Sequence, residues 1–400
     1  MKIITYYLPQ FHEIPENDEW WGKGFTEWTN VKKAAPIFEN HYQPRVPLEN
    51  NYYNLLEDEI KKSQVNYAKK YGIYGFCFYH YWFEGKLLIE KPVEQFLNNK
   101  DLDIHFCLSW ANESWMKTWV NSDTTVLVEQ TYGTKQEWKK HFDYLLPFFK
   151  DERYILEDNK PFFILYRPWK IPQLNDMLRY WDSLARQEGF DGIKYVSQDY
   201  HENFNTKFDD SSFDYNIEYQ PSLAHSFMER DYKYEKSYIT NYFKNKRNRN
   251  SLPITKYKTK EKNKKIFNFF HKVHLKILGK LYPEFEVGLF DYQEVWDNIL
   301  NKNPKNSKSI PGAFIGWDNT PRRDHNGGVD INFSLEKFEK NLSKQIQRTK
   351  NVYKKDMLFM NAWNEWGEGA YLEPDDKYGF GYLESVKNAL IENNEFPEEK

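Results

Sequence analysis

Met357-Leu358-Phe359-Met360-Asn361-Ala362-Trp363-Asn364-Glu365-Trp366-Gly367-Glu368-Gly369 joins an apolar run to a stretch of amides, indoles, carboxylates and glycines. The first half has the length and composition of a buried strand. The second half follows at once, so the strand ends by delivering two carboxylates, three residues apart, to a rim. Gly367 and Gly369 permit tight turns without a Cβ. A pair of carboxylates beside indole rings suits acid/base chemistry on a sugar. One of the two must hold a proton near neutral pH. Burial against Trp363 and Trp366, and the second negative charge, both push a carboxyl pKa upward. The bland alternative is that both glutamates cap or solvate a loop.

Working outward, this run is the last of eight. The others span 2–8, 74–81, 103–110, 161–166, 193–198, 213–219 and 313–317. Between them, 55–71, 137–149, 171–187 and 334–351 carry apolar residues at helical spacing. Strands alternating with helices argue for a parallel sheet, and eight repeats argue for an α/β fold of the closed (β/α)8 TIM-barrel type with extended loops. A doubly wound sheet is the competitor. It would place a glycine-rich phosphate loop after its first strand, where this chain has Pro9-Gln10-Phe11-His12. The expectation is one catalytic domain over 1–400, with an insertion at 225–310 between the sixth and seventh strands.

Polar and aromatic residues cluster where the strands end, as the carboxyl-end cleft of a barrel requires. The expected substrate-binding residues are Tyr7, His12, Trp28, His80, Trp82, Trp110, Asn112, Glu113, Arg167, Glu218, Trp317, Asn319, Trp363 and Trp366. Trp82, Trp110 and Trp317 would be sugar platforms; the alternative is that they close the barrel core. Asn112 and Glu113 would hold hydroxyls or cap the next helix. Arg167 would orient a carboxylate, bind an acidic sugar or form a structural ion pair. His12 and His80 would tune a carboxylate or sit as satisfied core histidines. Glu218 is a reserve acid. Tyr292, after Gly288-Leu289-Phe290-Asp291, is a further candidate to enter the cleft. Arg322 and Arg323 would contact phosphate or an anionic sugar, or pair with Asp324 and Asp330.

Composition sets limits. Of 400 residues, 40% are hydrophobic and 18% aromatic, so aromatic surface remains for a cleft after a large core is filled. A net charge of -3 gives no general case for nucleic acid, and none is expected as a partner. Cys77 and Cys107, in neighbouring strands, suit free buried thiols. No metal-ligand spacing, dinucleotide fingerprint or P-loop is visible, so no cofactor and no metal are expected. No leader precedes the first strand and no long apolar run occurs, which suits a cytoplasmic protein. The stretch 241–280 holds thirteen Lys or Arg and one acid, Glu261. It is either a solvated basic surface or a peripheral contact with anionic membrane or acidic polysaccharide.

Several motifs together resemble the WbsX-type proteins of bacterial surface-polysaccharide loci. They are Tyr6-Tyr7-Leu8-Pro9-Gln10-Phe11-His12, Trp21-Gly22-Lys23-Gly24-Phe25-Thr26-Glu27-Trp28-Thr29-Asn30, Phe78-Tyr79-His80-Tyr81-Trp82, Ser109-Trp110-Ala111-Asn112-Glu113, Trp317-Asp318-Asn319-Thr320-Pro321-Arg322-Arg323 and the carboxylate segment. Such proteins are described as glycosyltransferases of lipopolysaccharide synthesis and also resemble glycoside hydrolase family 99, the endo-acting α-mannosidases and mannanases. The resemblance implies a (β/α)8 barrel and a retaining mechanism without metal. It implies that Glu365 deprotonates the substrate 2-hydroxyl and that Glu368 is the general acid/base. Gly367 departs from that hydrolase pattern, which commonly has histidine there. The leading expectation is a retaining glycoside hydrolase-like enzyme that forms a 1,2-anhydro sugar from a surface polysaccharide or its precursor. The alternatives are a glycosyltransferase of lipopolysaccharide, O-antigen or capsule synthesis, and a non-catalytic glycan-binding protein.

Overall fold

The computed structural model describes residues 1–117, 125–199, 209–228 and 287–397. The basic stretch 241–280 lies outside the described residues. The main sheet contains nine parallel strands: β1 Lys2–Tyr7, β2 Gly75–His80, β3 His105–Trp110, β4 Lys160–Leu165, β5 Lys194–Asp199, β6 Tyr215–Glu218, β7 Ser309–Ile310, β8 Gly312–Phe314 and β9 Met357–Asn361. Their order is β7-β6-β5-β4-β3-β2-β1-β9-β8.

β7 and β8 are two halves of one strand, interrupted at Pro311. The first half pairs with β6 (Ile217↔Ile310) and the second with β9 (Gly312↔Phe359). Proline cannot donate to a ladder, but the Pro311 carbonyl accepts from the Phe359 N–H at 3.2 Å. The broken strand therefore joins both free edges, and the sheet is a (β/α)8 TIM barrel. A Cβ on Gly312 would stand 1.8 Å from the Glu218 carbonyl oxygen, so only glycine fits at this closure.

Helices ring the barrel: α1 Asp58–Lys70, α2 Lys91–Asn98, α3 Lys135–Phe149, α4 Leu174–Gln187, α5 Tyr292–Asn301, α6 Leu335–Asn351 and α7 Gly381–Glu392. Their starts are encoded locally. Thr134 and Glu137 form a capping box on α3, the Asp291 carboxylate caps α5, and Ser334 caps α6. Tyr292 begins α5 and is buried against Phe314 and Phe333, away from any cleft.

Strand parity decides which side chains reach the barrel axis. Tyr6, Tyr79 and Tyr219 meet inside: Tyr6 lies 5.6 Å from Tyr79 and 5.2 Å from Tyr219 between ring centroids. The Tyr79 and Tyr219 hydroxyls are 3.2 Å apart. Side chains one residue along face the helices, since successive Cβ atoms alternate. Cys77 and Cys107 are paired in register on β2 and β3, buried and free.

Candidate active site at the carboxyl mouth of the barrel

After β9 the chain forms a small hairpin. Asn364–Glu365 pairs antiparallel with Ala370–Tyr371, and Trp366–Glu368 makes a single 3-10 turn between them. Gly369 closes the turn at φ +63°, in the left-handed region. The hairpin is clamped from below. The Asn364 side chain accepts from Leu8 N at 2.7 Å and donates to Leu8 O at 3.0 Å. Trp366 is fully buried and stacks on Tyr371 at 3.7 Å, while its Nε1 donates to Glu373 at 2.7 Å.

The two glutamates converge on Arg322. Its Nη1 lies 2.9 Å from Glu368, its Nη2 contacts Glu365, and its Nε lies 2.7 Å from Glu27. Arg322 reaches them from the turn Thr320–Arg323, which follows β8. Glu27 comes from the helical segment Glu27–Lys33, which follows β1. The Glu365 side chain is 6% exposed and that of Glu368 is 21% exposed, so Glu365 forms the floor and Glu368 the lip. Burial pushes Glu365 up to about 8; Arg322 opposes the rise, while Glu368 and Glu27 add to it. Three carboxylates thus surround one guanidinium. The Tyr79, Tyr81 and Tyr219 phenols face this group, and burial raises all three well above the ordinary tyrosine range.

The expected site residues separate by parity. Tyr7, unlike Tyr6, points to the helices, packs on Phe76 and Phe78, and donates to Gln64 at 2.6 Å. His80, Trp82 and Trp110 are buried around His141 of α3. The His80 and His141 Nε2 atoms are 2.8 Å apart, and the Trp82 ring stacks on His141 at 4.6 Å. Burial lowers both histidines, His80 to about 3, so both rings are neutral. His12 is buried, faces Pro9 O at 3.0 Å, and is pushed by burial down to about 4.

Trp28 and Trp363 are core. Trp28 packs on Phe11 and Trp366, and Trp363 on Phe76. Asn112 is a clamp between β3 and β4, accepting from Arg167 N at 2.7 Å and donating to Arg167 O at 2.8 Å. Glu113 and Arg167 form a half-buried ion pair at 3.0 Å on that rim. Glu218 points outward, not into the cleft, and accepts from Tyr353 at 2.8 Å. Asn319 accepts from Gly328 N at 2.8 Å and fixes its own turn. Trp317 is half-buried and borders a cavity of about 310 Å³ with Tyr42, Arg45 and Tyr378. Asp330, offered as a partner for the arginines, instead binds His225 at 2.8 Å.

Sequence reasoning passed over Glu27, whose motif it quoted, and the inward tyrosines Tyr6, Tyr79 and Tyr219. It also passed over Tyr81 and the half-exposed Trp20 and Trp115, which meet edge to face beside Tyr81. Among the described residues, no group of three or more His, Cys, Asp or Glu is placed to hold a metal ion. No helix among them is long and apolar enough to cross a membrane.

Comparison with known proteins agrees with this architecture. A family model described as Glycosyltransferase WbsX matches residues 3–386. A protein named WxcX from Xanthomonas campestris pv. campestris (strain B100) is 30% identical over 390 residues, covering 97% of this chain and 49% of that protein. The chain thus spans about half the length of the curated relatives it matches. The solved family-99 endo-alpha-mannosidase of Bacteroides thetaiotaomicron superposes with a TM-score of 0.53 at 13% identity, over 98% of this chain and 97% of that one. A solved glycoside hydrolase-like protein gives 0.57 at 12% identity, over 100% and 94%. Likeness at such low identity speaks for the barrel alone. The match to the family model covers nearly the whole chain, which therefore belongs to the WbsX glycosyltransferase family.

Proposed function

We propose that this chain is a carbohydrate-active enzyme that breaks a glycosidic bond in a bacterial surface polysaccharide or its precursor and passes the glycosyl group to an acceptor hydroxyl. The observation that carries this reading is the convergence of Glu365 and Glu368 on one guanidinium at the carboxyl mouth of the barrel. The family description as a glycosyltransferase favours transfer to a sugar. Transfer to water is the hydrolytic version of the same reaction.

The chemistry requires one proton donor and one acceptor. Glu368, at the lip, gives its proton to the departing glycosidic oxygen as the bond from that oxygen to the anomeric carbon breaks. Glu365 takes the 2-hydroxyl proton, and the freed oxygen closes on the anomeric carbon to give a 1,2-anhydro sugar. Glu368 then takes the proton of the incoming hydroxyl, whose oxygen bonds to the anomeric carbon as the bond from the 2-oxygen breaks; Glu365 returns its proton to that 2-oxygen, and the original configuration is restored. Trp20, Trp115 and Trp317 offer half-exposed aromatic surface for sugar rings.

The test is incubation with the surface polysaccharide encoded alongside the protein, with and without oligosaccharide acceptors, read by mass spectrometry. Glu365→Gln and Glu368→Gln should each lower turnover by about a thousandfold or more. Undiminished turnover in either variant would remove that residue from the mechanism. Release of nucleoside diphosphate from a nucleotide sugar, unaffected by both changes, would support the nucleotide-sugar transferase instead. Glycan binding without turnover in the wild type would support the binding protein.

A further inference from the structure

We infer that Arg322 is the positioning residue that holds Glu365 and Glu368 together and favours the ionised form of Glu365, that Glu27 anchors Arg322 there, and that glycine at 367 is what lets them meet. Its meaning for turnover rests on the catalytic reading above, whereas the contacts stand without it.

The packing argues for this directly. A Cβ on residue 367 would stand 2.0 Å from Glu27 Oε1 and 2.8 Å from Arg322 Nε. The first distance is far inside any real contact, so a side chain at 367 and the Glu27–Arg322 pair exclude each other. The space above the turn is thus already filled by an ion pair, delivered from beyond β1 and from beyond β8. Glu27 has a fully buried side chain and Arg322 a 13% exposed one. A carboxylate so enclosed is tolerated only beside a cation. Glu27 accepts from Nε, leaving Nη1 and Nη2 to face Glu368 and Glu365 separately. The fork geometry of a guanidinium serves three carboxylates in this way, which a point-charge ammonium would not.

The electrostatic consequence follows from the sign of each neighbour. The groups acting on Glu365 are Arg322, Glu368 and Glu27 from three separate segments. The buried phenols of Tyr79, Tyr81 and Tyr219 also face it and stay neutral in the working range. Arg322 is the one cation in this group among the described residues. It opposes the rise that burial and the two other carboxylates impose on Glu365, and so favours the ionised form of that carboxyl. Glu27 acts in the opposite direction through its charge while holding Arg322 in place.

The decisive experiment needs no substrate. Protein labelled with ¹³C at the glutamate carboxyl carbon is titrated by NMR, and Glu365→Gln assigns the Glu365 signal. Arg322→Gln should raise the apparent midpoint of Glu365 by more than about one pH unit, a tenfold gain in proton affinity. Arg322→Lys should raise it less. Glu27→Gln keeps an acceptor oxygen for Nε and removes the charge, so it should lower the midpoint. Gly367→Ala should lower the melting temperature more in the wild-type background than beside Glu27→Ala. Unmoved midpoints in folded Arg322→Lys and Glu27→Gln would overturn the electrostatic role, whether or not Arg322→Gln folds. Equal losses from Gly367→Ala in both backgrounds would overturn the packing claim. Activity loss in Glu365→Gln and Glu368→Gln tests the catalytic reading separately, so each can fail alone.

Discussion

At the scale of single residues, one position along a strand separates the mouth from the wall. Tyr79 and His80 are neighbours in sequence and buried alike, yet Tyr79 faces the carboxylates and His80 faces α3. The consequence is a pair of opposite expectations. Tyr79→Phe removes one hydroxyl from the mouth and should lower turnover about tenfold, roughly 1.4 kcal/mol of transition-state stabilisation, with little change in melting temperature. His80→Ala removes a ring stacked on Tyr144 and paired with His141, and should cost about 2–3 kcal/mol in denaturant unfolding. Its turnover per folded molecule should stay near wild type. The reverse pattern would mean that the two faces have been exchanged. The same choice separates Tyr6 from Tyr7 and Tyr219 from Glu218. The sequence could not make it, because a parallel strand is buried on both faces and shows no polar alternation. Residues chosen for chemistry at strand ends therefore fell on the helix side as readily as on the axis.

At the scale of elements, the strands were legible because apolar runs of the right length alternate with helical periodicity. Helical spacing at 137–149 and 334–351 corresponds to α3 and α6, whose starts are capped by Thr134 and Ser334. The seventh strand was only partly legible. Its run was expected at 313–317, but pairing occupies Ser309–Ile310 and Gly312–Phe314, because Pro311 divides the strand and hides its first half. The closure makes a sharp prediction. Gly312→Ala would press a methyl into the Glu218 carbonyl and should destabilise the barrel by about 3 kcal/mol, read as a lower urea midpoint with unchanged slope. A loss within about 0.5 kcal/mol, the usual range for a neutral surface change, would show that β7 and β8 do not close the sheet as described.

At the scale of the whole molecule, burial of carboxylates ties stability to pH. Desolvation pushes Glu218 up to about 7, Glu373 up to about 7 and Glu365 up to about 8, from an ordinary value of 4.5. For a raised carboxyl the folded state binds the proton more tightly. Its contribution is complete below the unfolded pKa and is lost as pH rises through the folded one. These three groups therefore weaken the fold between about pH 4.5 and 8. Asp318 acts the other way. It is held low by His41, Arg45 and Thr320 against its burial, so its contribution is lost in acid. Glu218→Gln isolates one term, since the amide oxygen can still accept from Tyr353. It should flatten the decline in unfolding free energy between pH 5.5 and 8.5 by about 2 kcal/mol. An unchanged slope would mean that Glu218 is not protonated in the folded protein.

The sequence by itself determined the barrel and the place of its two glutamates. Eight apolar runs, the helices between them and an Asn-Glu-Trp-Gly-Glu-Gly segment after the last run are local facts of composition and order. Only the tertiary structure decided what surrounds those glutamates. Glu27 and Arg322 are 295 residues apart in the chain, and Arg322 and Glu365 are 43 apart. No local pattern links them, because their contact follows from bringing the ends of β1, β8 and β9 to one mouth. Gly367 stood out in the sequence as a departure from a pattern. In the fold it is the absence of a Cβ, 2.0 Å from a carboxylate oxygen, that lets a third acid and its arginine stand beside the pair.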